Sequence, residues 1–141
     1  MTMNLEALYS ILSDQAIEYT KNEIGISIIR EFQYDSDQIY QITIDISILD
    51  YEDQSYLRFD VFKFIPNSAI TNANIYQELL ARNFDVPRVR LALDYDQDVT
   101  LTLDLSVYEF NSDSVISAIN HIATSAMLLL DELSGFFDTE K

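Results

Sequence analysis

His121 is the one side chain in this 141-residue sequence whose ordinary pKa suits proton transfer near neutrality. It stands between Asn120 and Ile122 inside an apolar-periodic stretch, with no acidic residue at the spacing of a metal-ligand pair. A general base needs a nucleophile within hydrogen-bond reach, and nothing local supplies one, so His121 reads as a helix-surface or boundary histidine. Asp94, Asp96 and Asp98 form the D-x-D-x-D opening of a calcium loop. An EF-hand requires Gly at its sixth position and Glu at its twelfth, whereas those positions here are Val99 and Leu105. The triplet therefore reads as an acidic hairpin turn, and Asp50, Glu52 and Asp53 as a second acidic loop. The only glycines, Gly25 and Gly135, lack the neighbours of a phosphate-cradling loop. There is no cysteine, which excludes a thiol nucleophile, a disulfide and a zinc–thiolate site. No catalytic residue, metal ligand or cofactor is predicted. The competing reading is an enzyme built on paired carboxylates with a metal; stabilisation against heat by added metal would distinguish it.

Charge narrows the partner classes further. The chain carries 24 acidic against 8 basic residues, a net of −16. Such a field repels nucleic-acid phosphates and anionic lipid headgroups, both of which are bound through Lys and Arg. No nucleic-acid or membrane partner is expected. The acidic residues are scattered, as at Glu6, Asp14, Glu31, Asp45, Asp60, Asp104 and Glu132, in the manner of a solvated surface. An acidic mimic of nucleic acid is a further reading, and it requires the carboxylates to line one face. Arg82, Arg88 and Arg90 are the one basic cluster; they could hold an acidic partner, or pair with Asp85, Asp94 and Asp104.

Hydrophobic residues make up 48% of the chain, enough for a packed core despite the charge. The length suits one domain, residues 1–141. Met1 to Asn22 shows no basic stretch followed by an apolar block, and the densest apolar run, Ala126 to Leu130, is too short to span a bilayer. The expectation is a cytoplasmic protein.

The elements that must position these residues centre on Val89 to Val107. Apolar side chains fall on Val89, Leu91, Leu93 and Tyr95, then on Val99, Leu101, Leu103, Leu105 and Val107, with polar or small residues between them. That period of two predicts an antiparallel hairpin across an Asp96-Gln97-Asp98 turn, one face buried and one wet. Leu103→Asp should therefore abolish folding, while Thr102→Asp on the opposite face should be tolerated. Upstream, Leu5, Leu8, Leu12, Ala16 and Tyr19 predict a helix from Met1 to about Glu23. Three strands follow: Gly25 to Phe32, then Ile39 to Ile48 after a turn at Asp35-Ser36-Asp37, and Tyr56 to Phe64. Pro66-Asn67-Ser68 opens a second helix reaching about Asn83, with Ile75, Leu79 and Phe84 on its apolar side. The last helix starts at Ser112 or Asp113. Its stripe of Val115, Ile119, Ile122, Ala126, Leu129, Leu133 and Phe136 suits packing on a sheet better than a coiled-coil seam.

Some aromatic side chains do not fit this scheme. Leu57, Phe59 and Val61 share one face of their strand, and Phe62 and Phe64 break the alternation. Either a bulge shifts the register there or the second face is covered too. Tyr56, Phe62 and Phe64, with Ile75, Tyr76, Leu79 and Leu80 of the second helix, are the candidate partner or dimer contacts, because a soluble monomer exposes only limited contiguous apolar surface.

The order of elements resembles the type III secretion chaperone-like fold. So does the run Tyr76-Gln77-Glu78-Leu79-Leu80-Ala81-Arg82-Asn83 leading to Arg90-Leu91-Ala92-Leu93-Asp94 and Leu101-Thr102-Leu103-Asp104-Leu105. Within that group the chain is most similar to the YbjN family, described as regulators of bacterial sensory transduction, with the secretion chaperones proper as neighbours. The resemblance implies an α+β, two-layer domain of order αβββαββα, with three helices on one face of a five-stranded antiparallel sheet. It also implies a small acidic homodimer that holds a partner protein without catalysis, pairing largely through the second helix and adjoining sheet.

Overall fold

The computed structural model describes residues 4–35 and 38–138. The predicted turn at Ser36-Asp37 and the predicted helix start at Met1 to Met3 lie outside them. Among the described residues three α-helices, α1 (Leu5–Asp14), α2 (Ile75–Asp85) and α3 (Ser112–Glu132), accompany six strands. These are β1 (Thr20–Lys21), β2 (Gly25–Asp35), β3 (Gln38–Tyr51), β4 (Gln54–Ile65), β5 (Arg90–Leu93) and β6 (Val99–Ser106). The sheet is antiparallel throughout, in the order β1-β2-β3-β4-β6-β5. The fold class is thus the expected two-layer α+β, with a two-residue strand added to the expected five.

That extra strand exists because α1 stops early. Ala16 sits in the left-handed region at φ 56. Its N–H reaches the Ser13 carbonyl and the Ile17 N–H reaches Leu12 at 2.9 Å, the double bond that closes a helix around a left-handed residue. Glycine usually marks such a stop, and with alanine in its place the stripe read straight on to Tyr19. The chain instead turns back. Tyr19 stacks on Tyr9 with centroids 5.5 Å apart, and the Lys21 ammonium lies 4.3 Å from the centre of the same ring. β1 pairs only with Ile26 and Ser27, so beyond Ile28 the long strand β2 is itself the sheet's edge.

One sheet face is the core. Ile26, Ile28, Ile44, Ile46, Leu57, Phe59, Leu101, Leu103 and Leu105 are buried beneath α3, whose Val115, Ile119, Ile122, Ala126 and Leu129 face them. α3 is long and apolar enough to cross a membrane by length and composition, contrary to the reading from its densest run. Its stripe is spent on the sheet. At about 2 kcal/mol for each large apolar side chain buried, it anchors the layer. Its N-cap is Asn111, whose side chain accepts the Ser114 N–H at 2.9 Å, one residue before the predicted Ser112. Gly25 lies so close to β3 that a methyl group there would collide with the Ile46 carbonyl oxygen.

α2 begins later than predicted. Asn67–Ala69 forms a short 3-10 turn, and Ile70 then extends to bridge Phe137. The Thr71 N–H bonds to Phe136 and the Asp138 N–H to Ala69, so the segment 136–138 is stitched to this connection before the helix starts at Ile75.

Candidate functional site

His121, Asp94 and Asp98 each bond to backbone groups. His121 is half-buried, and its Nε2 lies 2.7 Å from the Pro87 carbonyl oxygen. This contact ties the approach to β5 onto α3. Asp94, Asp96 and Asp98 do converge, with one carboxylate oxygen of each within 4.8 Å of the others. The Asp94 carboxylate accepts the N–H groups of Asp96 and Asp98 at 2.9 and 3.0 Å, and that of Asp98 accepts the Asn67 N–H at 2.8 Å. With Gln97 left-handed at φ 68, these bonds shape a hairpin turn and tie it to the chain beyond β4. The turn spans 94–98, two residues more than predicted.

The arginines pair differently from the sequence expectation. Asp104 receives Arg58 through two bonds of 2.7 and 2.9 Å and Arg90 at 2.8 Å. Arg82 reaches Glu132 at 2.9 Å, with Glu78 at 3.8 Å. Asp104 is the one predicted partner to form such a pair. Burial alone would push its carboxyl up, but the bonds and charges of Arg58 and Arg90 outweigh that and hold it below the ordinary carboxylate range. Cross-strand from Asp45 and Thr102 lies Asp60, only 6% exposed. Burial pushes its carboxyl up; Thr102 and Arg58 oppose the shift, while the charges of Asp104 and Asp45 add to it. Thr102 is itself buried, at 8% exposure, so the expected tolerance of Thr102→Asp is corrected: the new carboxylate would face Asp60.

The predicted contact residues divide sharply. Ile75 and Leu79 belong to the core, Tyr56 and Tyr76 are half-buried, and Phe62 and Leu80 are exposed. Phe64 is buried because Lys63, left-handed at φ 50, shifts the register of β4 against β6 between Val61 and Ile65. Of the two readings of Phe62 and Phe64, the bulge is the one realised, and it inverts only Phe64. Phe84 is 92% exposed, which corrects its placement on the buried side of α2.

These positions leave one apolar surface along α2. Leu80 is 73% exposed, and Tyr76, Leu80 and Phe84 follow one another at four-residue spacing. Between them and the core stripe projects Asn83. Its side chain accepts the Leu91 N–H at 2.6 Å and donates to the Leu91 carbonyl at 3.0 Å. A single amide thus satisfies both outward backbone groups of Leu91 on the edge strand β5, as a neighbouring strand would. Sequence reasoning missed Asn83, since an asparagine near a helix end reads as a stop signal.

No protein-family model and no curated protein matches the sequence. Solved structures do match the fold. The Yersinia pestis type III secretion chaperone SycH, crystallised with a stable fragment of YscM2, superposes with a TM-score of 0.55 at 17% identity, over 89% of this chain and 98% of that one. YbjN from E. coli, a proposed transcription regulator, superposes with a TM-score of 0.57 at 14% identity, over 94% of each chain. The chain has the type III secretion chaperone-like fold, shared with YbjN.

Proposed function

We propose that this chain is a non-enzymatic protein-binding module of the cytoplasm, a homodimer that holds a partner protein in chaperone or regulatory fashion. The observation that carries this reading is the apolar row beside the β5 edge, in which Leu80 and Phe84 are exposed and Tyr76 is half-buried. A helix packed on one side needs a single apolar stripe, and α2 has a second. Burying that row in a two-fold interface lets the same patch cover itself. The same-fold structure of SycH with its YscM2 fragment supports partner holding, and YbjN supports a regulatory variant.

Sedimentation equilibrium across a salt series tests the assembly. The dimer should tighten as salt screens the −16 charge of each copy, and Leu80→Asp with Phe84→Asp should yield a folded monomer. A wild-type monomer at every salt concentration would sink the dimer. Affinity capture from the native cell with mass spectrometry tests the rest; failure to recover any stoichiometric partner would count against partner holding.

A further inference from the structure

The sheet face turned away from α3 is polar, and part of its centre is buried without being paired. Phe59, Val61, Leu101 and Leu103 belong to the core, so Asp60 and Thr102, which stand between them along their strands, point the other way. Asp45 is the direct cross-strand neighbour of Asp60, and Thr102 stands opposite Asp60 on its other side. Two carboxylates thus lie side by side where the β3–β4 ladder ends, a pairing that like charges make unfavourable. The arginines of this face do not relieve it, because Arg58 and Arg90 both pair with Asp104. Among the described residues neither Asp45 nor Asp60 has an ion pair. Asp45 accepts the neutral Ser27 hydroxyl at 2.6 Å. Thr102, 8% exposed, lies near enough to Asp60 to oppose the upward shift of its carboxyl, yet its hydroxyl makes no hydrogen bond of ordinary geometry. The Thr100 hydroxyl, two residues along the same strand and face, is buried and unbonded as well.

We propose that Asp45, Asp60 and the Thr102 hydroxyl hold a divalent cation of the magnesium class on this face. Buried polar groups in native proteins find partners, and the partner that two uncompensated carboxylates call for is positive. All three groups are hard oxygen donors, which suit magnesium or manganese. The chain's one histidine lies on α3 and it has no cysteine, so the face offers nothing to select zinc. Magnesium is commonly bound through one or two carboxylates while it keeps several of its waters. That matches a carboxylate pair on an open sheet, where the half-buried Asp45 leaves one side wet. The net charge of −16 gathers cations around the chain as a whole. At the hairpin turn, by contrast, Asp94 and Asp98 already accept backbone N–H groups. An ion on Asp45 and Asp60 joins β3 to β4 across the last pair of their ladder. That is a structural duty, and it neither depends on the partner-binding reading nor alters it.

The probe is manganese(II), whose free ion gives a paramagnetic resonance signal that is lost on binding. It is titrated into the full chain at about 0.15 M salt, which screens the general field. The expected result is one tight site per chain, emptied by excess magnesium. Asp60→Asn and Asp45→Asn should each weaken it at least about tenfold, and Thr102→Val by a smaller factor. Asp94→Asn, Asp96→Asn and Asp98→Asn together remove three charges elsewhere and should leave the site intact. A thermal melt in chelator establishes that each variant is folded; if Asp60→Asn is not, Asp45→Asn at the half-buried position decides alone. Weak binding only, abolished by added salt, reduces the ion to a diffuse counterion and overturns the proposal. Loss of the site in the triple variant, with Asp60→Asn unaffected, places the ion at the hairpin turn and overturns it too. Bound manganese that magnesium cannot displace overturns the assignment to the magnesium class.

Discussion

Asp60 shows how a residue can be costly where it stands. Its folded pKa is raised by burial, so the ionised form is disfavoured in the folded state relative to the unfolded chain. Stability is therefore lost as pH rises from the ordinary carboxylate value through the raised one. Asp104 has the opposite sign. Its depressed pKa contributes stability above the ordinary value, and this is lost as pH falls through the folded value. Asp60→Asn should raise the melting temperature at neutral pH, and the gain should shrink on acidification as the wild-type carboxyl takes up its proton. A gain independent of pH would show that the charge is not its cause. Leu103→Asp should still unfold the chain, because an unpaired charge in a site of 0% exposure costs several kcal/mol. The proper control is the exposed Thr43→Asp, which should melt near the wild type.

Among the elements, what was legible in the sequence was whatever rests on periodicity. The alternation in β3 and the stripe of α3 report buried faces directly, whereas in β6 only the apolar face was read correctly, because Thr100 and Thr102 on the other face are buried too. What was not legible rests on backbone conformations that ordinary side chains rarely adopt. Ala16 and Lys63 are both left-handed without being glycine; the first ends α1 ten residues in, and the second returns Phe64 to the core. Ala16→Gly should accordingly stabilise the chain by about 1 kcal/mol, since a left-handed alanine carries a steric penalty that glycine lacks. A loss on thermal or denaturant unfolding would contradict the assigned helix stop. The candidate site was half legible. Leu80 and Tyr76 could be named from an excess of apolar residues on α2, but Asn83 acts through a strand eight residues away, a pairing that no local pattern announces. Asn83→Ala should cost about 1–3 kcal/mol, the range for stranding buried or half-buried backbone partners, measured by urea unfolding.

At the scale of the whole molecule, the two ends of the sheet are protected unequally. The β5 end is closed by one amide, whereas the β2 end is covered by a strand of two residues. Beyond Ile28, the 11-residue β2 presents its flank outward, with Ile29 60% exposed. Repulsion between copies of net −16 opposes templating along this flank, and that repulsion titrates away. Near the isoelectric point of about 4.1, the chains should lose that mutual repulsion while the sheet is still formed, and edge-to-edge growth into fibrillar aggregates becomes the expected fate of concentrated solutions. Light scattering and thioflavin fluorescence on stepping the pH down would follow it. Ile29→Lys, which places a cation on that flank, should delay the onset.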